Sequence, residues 1–107
     1  MYGQPAGEVR VQLDGSSGVL ISVVGEFDIA LHDPFVQAVE RGTGDVVVDL
    51  SETTFLDSTG LRALVTGLNT AGARGARLSI GRASDVARVS LEITGLVEPM
   101  GLASHDG

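Results

Sequence analysis

Val46-Val47-Val48-Asp49-Leu50 is the feature that most restricts this chain, because so continuous an apolar run belongs to a central strand covered on both faces. After Ser51-Glu52-Thr53-Thr54 comes the corner Phe55-Leu56-Asp57-Ser58-Thr59-Gly60, and then a helical pattern. Leu61, Leu64, Val65 and Leu68 fall at i, i+3, i+4 and i+7, one stripe of a helix that packs on a sheet. A buried strand that turns directly into an amphipathic helix is the repeating unit of α/β layers.

The rest of the chain fits around that unit. Glu8-Val9-Arg10-Val11-Gln12-Leu13 alternates polar and apolar, as a half-buried strand does. Asp14-Gly15-Ser16-Ser17-Gly18 supplies turn residues, and Val19 to Gly25 reads as a second, more buried strand. So short a connection makes this first pair antiparallel. The chain then leaves the sheet through Gly25-Glu26-Phe27-Asp28. Asp33 before Pro34 has the form of a helix cap followed by proline at the first helical position. Phe35, Ala38 and Val39 give that short helix its apolar side, and it ends near Gly42-Thr43-Gly44. Gly67 interrupts the second helix and Gly72 is placed to end it. Ala76 to Ile80 reads as another strand. Ser84-Asp85 then caps a third helix carrying Val86, Val89 and Ile93 and closed by Gly95. Strands that alternate with helices after residue 44 run parallel through right-handed crossovers. The expected fold is therefore α/β, a mixed sheet of four to five strands, the first pair antiparallel and the rest parallel, with about three helices against it. Residues 1–7 read as a flexible start, 8–98 as the domain and 99–107 as a short tail.

Composition removes several functions. The absence of cysteine excludes disulfides, thiol nucleophiles and zinc–thiolate sites. A formal charge of −7 argues against nucleic acid as a partner. No apolar run has the length of a membrane span, and the start lacks the pattern of a signal peptide, so the expected setting is the cytoplasm, with no membrane partner. The charge is also polarised. Ten acids face two arginines in residues 1–58, whereas residues 59–90 hold five arginines and only Asp85. Such asymmetry suits polarised partner surfaces, and scattered solvated arginines would produce it as well.

Few residues carry chemistry. Gly67 and Gly72 have the spacing of a phosphate loop, but Ala73-Arg74 stand where lysine and a hydroxyl residue are required. His32 and His105 have no companions of metal-ligand type, so no metal or cofactor is expected. A serine at a strand-to-helix corner invites comparison with hydrolase nucleophile elbows. That motif wants glycine two positions earlier, where Leu56 stands, and only His105 follows as a base. A small serine hydrolase is thus the weakest reading. Ser58 could be a cap residue, or the neighbour of a cap supplied by Asp57. It could also accept a phosphate, since a helix start tolerates the added negative charge.

Gly25-Glu26-Phe27-Asp28, then Val46 to Ser51, then Phe55-Leu56-Asp57-Ser58-Thr59-Gly60-Leu61 resemble the STAS domain of bacterial anti-sigma factor antagonists. Ile93-Thr94-Gly95-Leu96 is similar to that family's ending of the third helix, and the likeness spans roughly residues 8–98. The resemblance implies a STAS-type sheet and a non-enzymatic, partner-switching role in transcription regulation. Unmodified, the chain would bind an anti-sigma factor that is a serine kinase of the GHKL ATPase fold, and so release a sigma factor. Phosphorylation at Ser58 would end that binding, and a serine phosphatase would restore it. By the same resemblance Asp28, Asp57, Ser58, Thr59, Gly60 and Arg62 form the partner-binding face, with Thr59 as a competing acceptor. A STAS subunit of a transporter or stress-sensing complex, without phosphoswitching, is the alternative. Leu31 and His32 stand where the family often has a small polar residue. Family members usually continue into a further strand and helix, so the far edge is expected to be shortened.

Overall fold

A computed structural model describes residues 6–13 and 18–102. The described residues form five strands and three helices. They are β1 (Gly7–Leu13), β2 (Val19–Phe27), α1 (Ile29–Arg41), β3 (Val46–Leu50), β4 (Thr53–Leu56), α2 (Ser58–Ala73), β5 (Leu78–Ala83) and α3 (Asp85–Thr94). The sheet order is β1-β2-β3-β5, with β4 also paired to β2. β1 and β2 are antiparallel and every other pairing is parallel, the arrangement expected from the sequence. His105 lies outside the described residues.

One face of the sheet holds the core, so β3 is not covered on both faces as its apolar run suggested: Val47 is 37% exposed on the other side. Val19, Ile21 and Val23 of β2, Val46, Val48 and Leu50 of β3, and Leu78 and Ile80 of β5 are buried, as period-two alternation requires. α1 brings Leu31, Phe35, Ala38 and Val39 to it, and the Phe27 and Phe35 rings meet with centroids 5.3 Å apart, tilted by 55°. The buried side of α2 is made mostly of small residues, Gly60, Ala63, Gly67 and Ala71, with Leu64 among them. Leu61, Val65 and Leu68 are only half-buried at its margins. Small residues bring the α2 backbone close to α1. A methyl group on Gly67 would lie 2.9 Å from Cε2 of Phe35 and 3.3 Å from Cγ2 of Val39. Gly67 is therefore a packing residue, and its poor helix propensity is the consequence of that contact.

Four local readings are corrected. α1 begins at Ile29 rather than at Pro34, because Asp28 is its cap and accepts from Ala30 N at 3.0 Å. Leu31 is drawn into the core one turn before Phe35, which makes the longer helix worth its missing proline N–H. Asp33 instead meets His32 Nδ1 at 3.0 Å. α2 runs through Gly72 to Ala73, and the left-handed residue after it is Gly75, with φ +78°. Arg74, the C-cap of α2, donates to the carbonyls of Val39 at 2.7 Å and Gly44 at 2.9 Å, so it also closes the end of α1. On α3, Val86, Val89 and Ile93 are exposed, and the contact is made by Ala87 and Leu91. Ser84 Oγ donates to Thr53 O at 2.6 Å and Ser90 Oγ to Leu56 O at 3.4 Å, bonds that accompany this orientation of the helix. Finally, β2 does not stop at Gly25. It shifts register there and continues to Phe27 alongside β4, a strand with no separate signal in the sequence.

The stretch beyond residue 98, read from sequence as a tail, adds Met100 and Leu102 to the core, and Ile80 N donates to Met100 O at 2.8 Å. On the other side of the sheet, burial pushes the Asp49 carboxyl up. Hydrogen bonds from Ser51 and the Arg82 guanidinium, 2.7 Å away, outweigh that effect and hold it below the usual carboxylate range.

Gly67 and Gly72 of α2 should respond oppositely to alanine. Gly72 has nothing within 4 Å of a new methyl group, so Gly72→Ala is expected to stabilise by up to about 1 kcal/mol through helix propensity. Gly67→Ala forces the Phe35 ring to move and is expected to destabilise, as overpacking costs about 1–3 kcal/mol. Urea unfolding of both variants checks this, and a stabilised Gly67→Ala would contradict the packing.

Candidate functional site: the corner at Ser58

The corner is built by two parallel strands that end at the same level. Phe27 of β2 is in register with Leu56 of β4. Each strand is followed by an aspartate that caps a helix. Asp28 opens α1, and Asp57 opens α2 by accepting from Gly60 N at 3.0 Å. Two helix starts therefore lie side by side at the carboxyl end of parallel strands, the edge where α/β folds place their sites. Each start carries positive dipole and free N–H groups, which the two carboxylates offset.

Gly60 fixes the approach. A methyl group there would fall 2.3 Å from Phe27 O and 2.7 Å from Cδ1 of Leu56, so the first turn of α2 rests directly on the end of β2. Ser58 is the first residue of α2 and is exposed. Its hydroxyl has no hydrogen-bond partner among the described residues. The capping role that Ser58 might have filled belongs to Asp57, which leaves the hydroxyl available. Thr59 is half-buried and lines a shallow cavity of about 310 Å³ with Ile29, His32, Asp33 and Arg62. Arg62, exposed one turn after Ser58, lines the same cavity as Asp33.

Each residue expected at the partner-binding face thus has a definite place. Asp28 and Asp57 are caps, Gly60 is buried contact, Ser58 and Arg62 are exposed, and Thr59 faces the cavity. Two apolar residues are exposed at the corner. Ile29 is 76% exposed and Phe55 is 47% exposed, flanking Asp28 and Asp57 along the chain. Phe55 belongs to the corner that the sequence singles out, whereas Ile29 required knowing where α1 begins. His32 shares the cavity with Thr59, yet no hydrogen bond joins it to either hydroxyl among the described residues. An activated nucleophile needs such a base. No group of acidic or histidine side chains among the described residues could hold a metal ion.

A mixed sheet whose first pair is antiparallel and whose other pairs are parallel, with three helices, is the arrangement of the STAS fold. The chain belongs to that family: the family model described as "Mlab, STAS domain" matches residues 9–102. Among solved structures, the anti-sigma factor antagonist SpoIIAA in its unphosphorylated form aligns with a TM-score of 0.73 at 18% identity. That alignment covers 92% of this chain and 90% of the other. An anti-sigma factor antagonist from Mycobacterium paratuberculosis aligns with a TM-score of 0.74 at 24% identity, over 92% and 86%. The phosphorylated form of SpoIIAA, the Bacillus cell fate determinant, gives 0.68 at 16%, over 92% of each. At these identities the likeness is one of fold. None of the curated proteins matches the chain in sequence. No helix among the described residues is long and apolar enough to cross a membrane.

Cap and hydroxyl should separate in thermal or urea unfolding. Asp57→Ala is expected to lose about 1 kcal/mol, the usual value of an N-cap. Ser58→Ala is expected to stay within about 0.5 kcal/mol of the unmodified chain, as surface substitutions do. Equal losses would mean that Ser58 shares in the capping.

Proposed function

We propose that this STAS domain is an anti-sigma factor antagonist switched by phosphorylation at Ser58. The partner is an anti-sigma factor with serine kinase activity and a GHKL-type ATPase fold. The unmodified chain binds it and frees the sigma factor, and a serine phosphatase reverses the modification. The observation that carries this reading is the exposed, unpartnered Ser58 hydroxyl at the start of a helix whose cap is supplied by another residue. Free N–H groups at a helix start accept a phosphate without unfolding their host. The phosphate adds a charge of about −1.5 to −2 beside Asp57 and Asp28. A partner surface suited to the unmodified corner is then repelled, and it also loses dry contact with Ile29 and Phe55. Asp28, Asp57, Thr59, Gly60 and Arg62 make or shape that contact, and the setting is cytoplasmic. The likeness in fold to two anti-sigma factor antagonists supports the same role.

A second reading is a STAS subunit of a transporter or stress-sensing assembly with no phosphoswitch. It is favoured by the family model, whose description names a STAS domain and no antagonist role. Recovery of the tagged chain from its native host, with intact mass measured before and after phosphatase, separates the two. The switch predicts one removable phosphate, absent in Ser58→Ala, and a GHKL-type ATPase bound to the unmodified form only. Unchanged phosphate on Ser58→Ala would overturn the assignment of the acceptor. An unphosphorylated chain held in a transporter complex would favour the second reading.

A further inference from the structure

β1 is an edge strand of the sheet, and its outer side meets no other strand among the described residues. The phase of its backbone follows from three bonds. Glu26 N donates to Ala6 O at 3.5 Å, while Gly25 N and Val19 N point the other way, to Glu52 O and Asp45 O. Even-numbered residues of β1 therefore exchange hydrogen bonds with β2, and Val9, Val11 and Leu13 aim their N–H and C=O groups outward. The side chains of these three residues lie on the helix side of the sheet, opposite Val23, Ile21 and Val19. Val11 is 53% exposed and Leu13 is 79% exposed, a large apolar area for a strand end. Beside them a groove of about 300 Å³ opens between β1 and α1, lined by Val9, Val11, Pro34, Gln37, Ala38 and Arg41. An apolar knob, an apolar groove and a row of open backbone groups thus occupy one edge of one chain.

We propose that a second copy of this chain fills the edge, with β1 paired to β1 antiparallel about a two-fold axis at Val11. Side chains keep their faces only if such a pairing is centred on a residue. Centred on Arg10, it sets two arginines directly opposite each other, which is destabilising. Centred on Val9, it carries Leu13 past Gly7, the first residue of β1, and leaves its side chain without a strand residue opposite. Centred on Val11, it pairs Val11 with its own copy, Val9 with Leu13 in both directions, and Arg10 with the neutral Gln12. The Leu13 of each copy then lies beside Val9 at the mouth of the other's groove. The contact is made twice by symmetry, and the pairing closes as a dimer. A covered edge also removes the aggregation hazard of an open apolar strand.

The native chain has no cysteine, so introduced thiols report the register directly. Directly opposed, hydrogen-bonded residues are about 5.5 Å apart, within disulfide range. Under mild oxidation Val11→Cys is expected to cross-link to itself. Val9→Cys and Arg10→Cys alone are not, and a mixture of Val9→Cys with Leu13→Cys is. Sedimentation of the unmodified protein up to about 1 mM, where even a weak dimer is populated, should show the mass rising from 11.0 kDa toward twice that value. Leu13→Lys should hold it at 11.0 kDa. All four positions are exposed or half-buried, and circular dichroism checks that each variant is folded. An unmodified chain that stays at 11.0 kDa throughout overturns the proposal. So does a dimer that cross-links through position 9 or 10 instead of 11, or through none of them. The Ser58 corner plays no part in these measurements, so their outcome is independent of the switch.

Discussion

The contact on which the corner depends is that of Gly60 with the carbonyl of Phe27. No side chain fits between them, since even a methyl group would lie 2.3 Å from that oxygen. With the first turn of α2 seated on the end of β2, Phe27 and Leu56 finish in register and Asp28 and Asp57 follow together. Each aspartate is taken up by its own helix, at 3.0 Å in both cases. Capping is thereby complete without Ser58. The same close approach is continued by Ala63, Gly67 and Ala71, which bring α2 against Phe35 and Val39 of α1. Small residues along one helix face thus position the site at one end and close the core along its length.

This division of labour explains how a surface can be altered while its fold is kept. The residues that hold the corner, Gly60, Leu56 and Phe27, are buried, and the groups it exposes, Ser58, Arg62, Ile29 and Phe55, are not. A charge added at Ser58 meets solvent and helix N–H groups rather than the core. Its effect falls on whatever docks there.

Much of the fold was legible because it rests on period and punctuation. The valine run gave β3, the alternation gave β1, and Ser84 and Gly95 bounded α3 through a cap and a left-handed turn. What stayed hidden was decided by tertiary contact. Asp33-Pro34 looked like a helix start, yet burial of Leu31 extended α1 back to Ile29. Val86, Val89 and Ile93 form as good an apolar stripe as Ala87 and Leu91, yet Ala87 and Leu91 enter the core, with Ser84 and Ser90 bonded to β4. β4 is too short to announce itself beside β3. Ser58 was legible as a candidate from its place in the sequence, but its freedom from capping required the geometry of Asp57.

The most direct test of the account is a comparison of backbone amide spectra for the Ser58-phosphorylated and unmodified chain. The account expects shifted resonances confined to residues 26–33 and 54–62, with the remaining amides and the unfolding midpoint unchanged. Shifts spread through β3, β5 and α3, or a chain that unfolds on modification, would contradict it.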